Sequence, residues 1–139
     1  MHTNDWKGTL ESCKKVLEHD PEHIGALEVA AQALWFEGKY SDVVKTTSRL
    51  LMLNPDEPGY RYTRGMALMS MGKLSQASED FRQALRQSKD QRFVAQVRNA
   101  LIVIEEFQSG WVGHRQRLKA IKLARQFSDP GYEPDVSIH

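Results

Sequence analysis

Two histidines and two carboxylates lie close together in the sequence at the end of the first predicted helix, where they could form a metal site. His19 and His23 stand four residues apart, the spacing of a two-histidine metal pair, and Asp20 and Glu22 lie between them. Pro21 breaks the helix between the two histidines, so their side chains do not share one helical face. Because ligands must converge on a metal ion, we predict that no metal binds here.

The sequence offers neither an activated nucleophile nor a phosphate-binding loop. Cys13, the single cysteine, lies on the apolar stripe of its predicted helix, and nothing cationic or basic is placed to activate it, so we interpret it as a core residue. Gly38, Gly72 and Gly110 each follow a predicted helix singly and do not form a glycine-rich loop. We therefore predict no catalytic residues and no cofactor, and we expect that the protein is not an enzyme.

A basic run near the C-terminus has two interpretations. Between Trp111 and Phe127 the chain carries several cations and no acidic residue, a pattern found in segments that bind nucleic acid or anionic membranes. The same pattern fits the solvated face of a capping helix at the end of a helical array. We favour the capping helix, so neither nucleic acid nor a membrane is the expected partner. The basic residues are Arg115, Arg117, Lys119, Lys122 and Arg125.

The composition is that of a small globular protein. The chain has 139 residues, enough for one compact unit, and a net charge of +1. No apolar run approaches the ~20 residues that a membrane-spanning helix needs, and the first residues lack the basic and apolar regions of a signal peptide. A lone cysteine suits a reducing compartment. We therefore expect a cytoplasmic protein.

Apolar residues at helical spacing predict helices along most of the chain. The stripe of Trp6, Leu10, Cys13 and Leu17 is the first example, and prolines or glycines follow the predicted helices. We expect Gly72, like the earlier turn glycine, to adopt a positive φ at a tight helix exit. These signals predict about seven helices. Five cover residues 5–19, 22–37, 58–71, 93–107 and 112–127. The third in chain order begins at residue 41 and ends before Pro55, and the fifth begins at residue 75.

The turn residues recur at a fixed interval along the chain. The separation of Gly38 from Gly72 equals that of Pro21 from Pro55. This constant interval, about 34 residues, lies in the range typical of a solenoid, in which each repeat is one pair of helices that buries its apolar face only against its neighbours.

This pattern resembles the tetratricopeptide repeat, a helix–turn–helix unit of about 34 residues. The first full unit, 24–57, carries a Gly-Lys-Tyr turn and an Asn-Pro exit, and the second, 58–91, carries a Gly-Lys-Leu turn. Val43 and Thr47 stand where the family usually has alanine and an aromatic residue, and Lys89 replaces the second exit proline. Around these units we predict a half repeat over 5–21, a degenerate repeat or capping helix over 92–128, and a flexible tail over 129–139, with 1–128 forming one domain.

The resemblance implies an all-α fold, a short right-handed α-solenoid of antiparallel helix pairs. It also implies a non-catalytic module that binds a peptide or helix of a partner protein in a concave groove lined by the first helix of each repeat. The other interpretation is that these residues are core, or that the last helix fills the groove. The expected groove residues are Gln32, Trp35, Phe36, Tyr62, Met66, Met69, Phe93 and Val97.

One subtype of the family, which clamps an acidic C-terminus with lysines, arginines and asparagines, does not fit. The matching positions hold Glu28 and Gln32, then Thr63, then Phe93 and Val97. A carboxylate clamp requires cations, and Glu28 would repel an acidic ligand.

The sequence is also compatible with two other functions and with self-association. A small three-repeat protein of this kind could be a secretion-type chaperone for an exported protein. The lone half repeat at the start also fits an excised regulatory region of a larger, catalytic protein. Because that half repeat lacks its partner helix, we expect Trp6 or a neighbouring apolar residue to be left uncovered and the chain to form a weak homo-oligomer.

Overall fold

The fold is that of a chain of α-helices joined by short turns. The structure is a computed structural model, and it describes residues 5–109 and 122. Within these residues every regular element is an α-helix, which confirms the all-α prediction. The seventh predicted helix, 112–127, and the predicted tail, 129–139, lie outside the described residues except for Lys122. The helices are α1 Trp6–His19, α2 Ile24–Phe36, α3 Tyr40–Leu53, α4 Pro58–Ser70, α5 Leu74–Gln87 and α6 Gln91–Gln108.

The period of the sequence is the spacing of the helices. Helices α1, α3 and α5 begin at Trp6, Tyr40 and Leu74, which follow one another at the interval of the turn glycines, and all three helices are 14 residues long. The same interval separates the starts of α2 and α4 at Ile24 and Pro58. Each helix pair is therefore a copy of the same structural unit.

The chain divides into two compact units, the first ending at Gln87 and the second beginning at Ser88. In the first unit each helix packs on the next one along the chain, from α1 on α2 through to α4 on α5. The second unit contains α6, whose residues Val97, Ala100 and Ile104 are buried.

The turns within the two helix pairs confirm the conformation predicted for their glycines. Gly38 has a φ of 74° and Gly72 a φ of 80°. In each turn the amide after the glycine donates to a carbonyl five residues earlier, from Lys39 to Leu34 and from Lys73 to Leu68, both at 2.9 Å. These bonds satisfy carbonyls that the end of a helix would otherwise leave unpaired, and the left-handed glycine makes them accessible.

We expect Gly72→Val to lower the free energy of unfolding by about 1–2 kcal/mol, the cost of forcing an L-residue into the left-handed region. A Cβ at Gly72 would meet no atom within 4 Å, so the loss would come from backbone strain alone. Chemical denaturation measures it. Gly72→Asn is the control, since asparagine tolerates this conformation better. Equal stability of the wild type and the valine variant would show that the turn does not require glycine at position 72.

The core of the first unit lies between successive helices. Leu10 and Cys13 of α1 form one buried cluster with Ala30 and Ala33 of α2, and half-buried Trp6 packs against it. Burial raises the pKa of the Cys13 thiol, which makes the reactive thiolate scarce. Cys13 is therefore a core residue, as its place on the apolar stripe predicts. A second cluster joins Leu27, Leu50, Leu51 and Tyr60 across α2, α3 and α4.

Helices α4 and α5 approach closely because Gly65 has no side chain. The wholly buried ring of Phe81 occupies the space, and a Cβ built on Gly65 would stand 2.6 Å from Phe81 Cε1. Contacts this short do not occur between unbonded carbon atoms, so a larger residue at 65 would push the helices apart.

A buried ion pair, which the sequence did not predict, ties α4 to α5. Arg64 donates two hydrogen bonds to Asp80, from Nε to Oδ2 and from Nη2 to Oδ1, each at 2.7 Å. Arg64 Nη1 also donates to Ser48 Oγ of α3 at 3.1 Å, and Arg61 lies 3.7 Å from Asp80. Asp80 is only 3% exposed, so its charge depends on these arginines for stabilisation.

Candidate functional site

A cleft of about 690 Å³ opens between α2, α3 and α4, all within the first unit. It is large enough to hold several amino-acid side chains. Helix α2 contributes Glu28, Ala31, Gln32 and Trp35, and helix α3 contributes Thr47 and Leu50. Helix α4 and its N-cap residue Glu57 contribute the others, namely Glu57, Gly59, Tyr60, Tyr62, Thr63 and Met66.

The two walls of the cleft are single faces of α2 and α4. On α2, Glu28, Gln32 and Trp35 follow one another at spacings of four and three residues. On α4, Tyr62 and Met66 are four residues apart. Residues at these spacings stack on one side of a helix, so each wall is a continuous stripe.

The floor of the cleft is formed by α3. Thr47 is 1% exposed, and its hydroxyl donates to the Val43 carbonyl at 2.7 Å, within its own helix. Leu50 is also buried. The polar atom of the floor is therefore satisfied internally, and the floor is largely apolar.

A hydrogen bond joins the two walls at one end of the cleft. The Tyr60 hydroxyl of α4 donates to Glu28 Oε2 of α2 at 2.7 Å. Burial and this hydrogen bond raise the pKa of Tyr60 to about 12, with the charges of Glu28 and Glu57 adding to the effect. Tyr60 therefore stays neutral and keeps donating at any physiological pH.

The aromatic side chains at the other end are held by their neighbours. Trp35 meets Tyr40 edge to face, with ring centroids 5.1 Å apart, and Tyr62 tilts against Phe81 at 5.8 Å. Trp35 and Tyr62 are half-buried, as is Met66. Each presents part of its apolar surface to the cleft, and such surfaces are well suited to binding apolar side chains.

Four of the predicted groove residues line the cleft, namely Gln32, Trp35, Tyr62 and Met66. Phe36 does not line it. Phe36 is 57% exposed, and its ring stacks on Trp6 with centroids 4.8 Å apart and an angle of 11° between the planes. This stack also covers part of Trp6.

The other predicted residues lie elsewhere. Met69 is half-buried and does not line the cleft, while Phe93 and Val97 belong to α6 in the second unit, where Val97 is fully buried. Of the basic run, only Lys122 is among the described residues, and it is exposed. A partner-binding role for Met69, Phe93 and Val97 stays a prediction.

Sequence reasoning missed Tyr60, Glu57 and the floor residues as parts of the cleft. Tyr60 stands at the start of α4, outside the positions that the repeat pattern marks for the groove. The one usable signal was Thr47, a small residue where the family usually has an aromatic side chain.

The histidines and carboxylates considered as metal ligands do not form a metal site in the described residues. His23 Nδ1 accepts a hydrogen bond from the Ala26 amide at 3.0 Å and so caps α2. Within the described part of the chain, no group of three or more histidine, cysteine, aspartate or glutamate side chains converges. Over the same residues, no helix has the length and apolar character needed to cross a membrane.

Stacked helix pairs with a cleft between the first helices of successive pairs define a helical-repeat protein. A family model described as the tetratricopeptide repeat matches residues 32–101, half of the chain, and the chain belongs to this family. The fold is therefore one that serves in general as a protein–protein interaction module, which confirms the resemblance seen in the sequence.

Solved structures of MamA have the same fold. One covers 92% of this chain and 82% of its own, with a TM-score of 0.72 and 17% identity. MamA AMB-1 and MamA MSR-1 reach TM-scores of 0.68 and 0.67 at 21% identity, each over 85% of this chain. The chain spans 66% and 64% of the length of those two proteins. No curated protein sequence matches the chain.

Proposed function

We propose that the protein is a non-catalytic interaction module that holds a segment of a partner protein in the cleft between α2 and α4. The observation that supports this most directly is the cleft itself, in which aromatic and methionine side chains from two helices face open space. Tryptophan and tyrosine are the residues most enriched at binding hot spots, and methionine adapts its shape to different partners.

The polar groups of the walls support the same proposal. Gln32 is exposed on one wall, and Thr63 is half-buried on the other. Both side chains can donate and accept hydrogen bonds, which a peptide backbone needs when it leaves water. The cleft thus combines apolar surface for side chains with polar groups for a main chain.

The ionisable groups of the cleft favour binding over catalysis. Its twelve lining residues include two glutamates and two tyrosines but no histidine, lysine, cysteine or serine. Burial raises the pKa of Tyr62, and the pKa of Tyr60 is raised further. The set therefore lacks histidine, the commonest general base, and the serine and cysteine nucleophiles that such a base activates.

We expect Trp35→Ala and Met66→Glu each to weaken partner binding more than tenfold, because they remove or charge the apolar surface of the cleft. The partner is first identified by affinity capture from the native lysate and mass spectrometry. Its affinity for each variant is then measured, with circular dichroism to verify the helical fold.

Phe36→Ala is the matched control for Trp35→Ala. The two aromatic residues are adjacent in α2, but Phe36 faces Trp6 and not the cleft. We expect Phe36→Ala to bind within about threefold of the wild type, the loss expected of a residue outside a hot spot. If binding survives the cleft variants but is lost on neutralising Arg115, Arg117 and Lys119, the proposal is wrong. The partner then is an anionic molecule that binds the basic residues.

A further inference from the structure

We propose that the cleft selects partner segments carrying a lysine or arginine side chain at its Glu28 end and a bulky apolar side chain at its Trp35 end. This inference rests on the proposed function and names the chemistry of the partner. It follows from the charge of the lining, from the orientation of Glu28, and from the separation of the acidic and aromatic ends.

The charge of the lining is wholly negative. Glu28 and Glu57 are the charged residues among the twelve that line the cleft, and none is lysine, arginine or histidine. Neither glutamate takes part in an ion pair within the described residues, whose three ion pairs involve Glu11 and Asp80. The nearby cation Arg61 is directed to Asp80. An incoming cation would therefore meet two carboxylates that have no partner of opposite charge in this part of the chain.

Each carboxylate accepts one hydrogen bond through one of its oxygens. Glu28 Oε2 accepts from the Tyr60 hydroxyl at 2.7 Å, and Glu57 Oε2 accepts from the Gly59 amide at 3.0 Å. Over the part of the chain that the structure describes, neither Oε1 atom has a hydrogen-bond partner. An acceptor that is already oriented loses little entropy when a ligand binds, which favours recognition of an ammonium or guanidinium group.

Glu28 is the stronger of the two acceptors. Glu57 caps the N-terminus of α4, so its charge is partly offset by the positive end of the helix dipole. Glu28 lies inside α2, one turn past its start, and its side chain reaches across to the opposite wall. We therefore assign the cation to Glu28.

The cleft has an acidic end and an aromatic end. Glu28 and Trp35 lie seven residues apart on one face of α2, which corresponds to about 10 Å along the helix axis. On α4, Glu57 and Tyr60 come first and Met66 follows. A matching segment would carry its basic and apolar side chains about 10 Å apart, three residues in an extended chain or two turns of a helix.

Selection from a random dodecapeptide library displayed on phage tests this inference. The full chain is immobilised as wild type, as Glu28→Gln, as Glu28→Lys and as Glu18→Gln. The Gln variant retains an acceptor for Tyr60 and removes the charge, while Glu18 is an exposed acid of α1 outside the cleft. Recovered peptides are sequenced and their affinities measured at low and high salt.

The wild type and Glu18→Gln are expected to enrich peptides with lysine or arginine three or seven residues from a bulky apolar residue. Replacing that basic residue by glutamine should weaken binding about tenfold at low salt and less at high salt, because salt screens exposed charges. Glu28→Gln should lose the preference, and Glu28→Lys should enrich aspartate and glutamate.

The failure of this inference can be told from the failure of the proposed function. If the wild type enriches apolar or acidic peptides that Trp35→Ala no longer binds, the cleft binds peptides but the inferred cation is wrong. If the enriched peptides bind Trp35→Ala and Met66→Glu as well as they bind the wild type, or if no peptide is enriched, both proposals are wrong.

Discussion

Asp80→Ala is expected to lower the free energy of unfolding by about 3–5 kcal/mol, the largest loss of any substitution considered for this protein. The change leaves the guanidinium of Arg64 without the two 2.7 Å hydrogen bonds that it makes to Asp80. Arg61 loses its carboxylate as well. The Arg64 side chain is 24% exposed, so it would recover only part of its hydration in place of the lost counter-charge. Denaturation by urea, followed by circular dichroism, measures the loss.

Two further variants separate the destabilisation caused by an unpaired arginine from the net contribution of the ion pair to stability. Replacing both partners, as in Arg64→Met with Asp80→Leu, should recover most of the loss because no buried charge then lacks its partner in this pair. Glu11→Ala breaks the exposed pair with Lys14, whose side chains are about 70% exposed, and should change stability by less than about 1 kcal/mol. A cost for Asp80→Ala no larger than that of Glu11→Ala would contradict the structural role of the buried pair.

The second large effect is expected at Gly65. Gly65→Ala should destabilise the protein by about 2 kcal/mol through overpacking, although alanine is the better helix former by about 1 kcal/mol. The added methyl group would stand 2.6 Å from Phe81 Cε1 and 2.9 Å from Cδ1, and the wholly buried ring cannot move away into solvent. Thermal unfolding of the purified variant measures the effect.

Gly59→Ala is the matched control in the same helix. Its Cβ would meet the Glu57 carboxylate at 3.1 Å, and that side chain is exposed and can shift. We expect its stability to be unchanged or slightly raised. Adding Phe81→Leu should reduce the cost of Gly65→Ala by at least about 1 kcal/mol, since the smaller side chain makes room for the methyl group. Additive losses in the double variant would show that the two residues do not compete for space.

The helices were predictable because their signals are local. Gly38, Gly72 and the prolines mark the ends of helices by backbone conformation alone, and the period of the sequence repeats these signals. The buried pair of Arg64 and Asp80 was not predictable in the same way. The two residues lie on different helices, 16 positions apart, and a charged residue on an amphipathic helix normally faces water.

The cleft was predictable only in part because helical spacing leaves the facing residue ambiguous. Trp35 and Phe36 are adjacent, both aromatic, and about 100° apart around the helix, so a shift of one position exchanges their environments. Trp35 lines the cleft, whereas Phe36 turns to Trp6. Tyr60 belongs to the cleft through its hydrogen bond to Glu28 of another helix, and spacing along one helix does not predict such a contact.

The small side chain on the floor of the cleft indicates why one repeat borders an open cleft. Thr47 and Phe81 hold the same place in successive repeats, one period apart, as do Ala31 and Gly65. In the later repeat the ring fills the space beside the glycine, and in the earlier one the threonine and the alanine both border the cleft. Equivalent positions of two repeats of equal length are thus packed differently: a buried ring fills the space in one repeat, and a small side chain leaves the cleft open in the other.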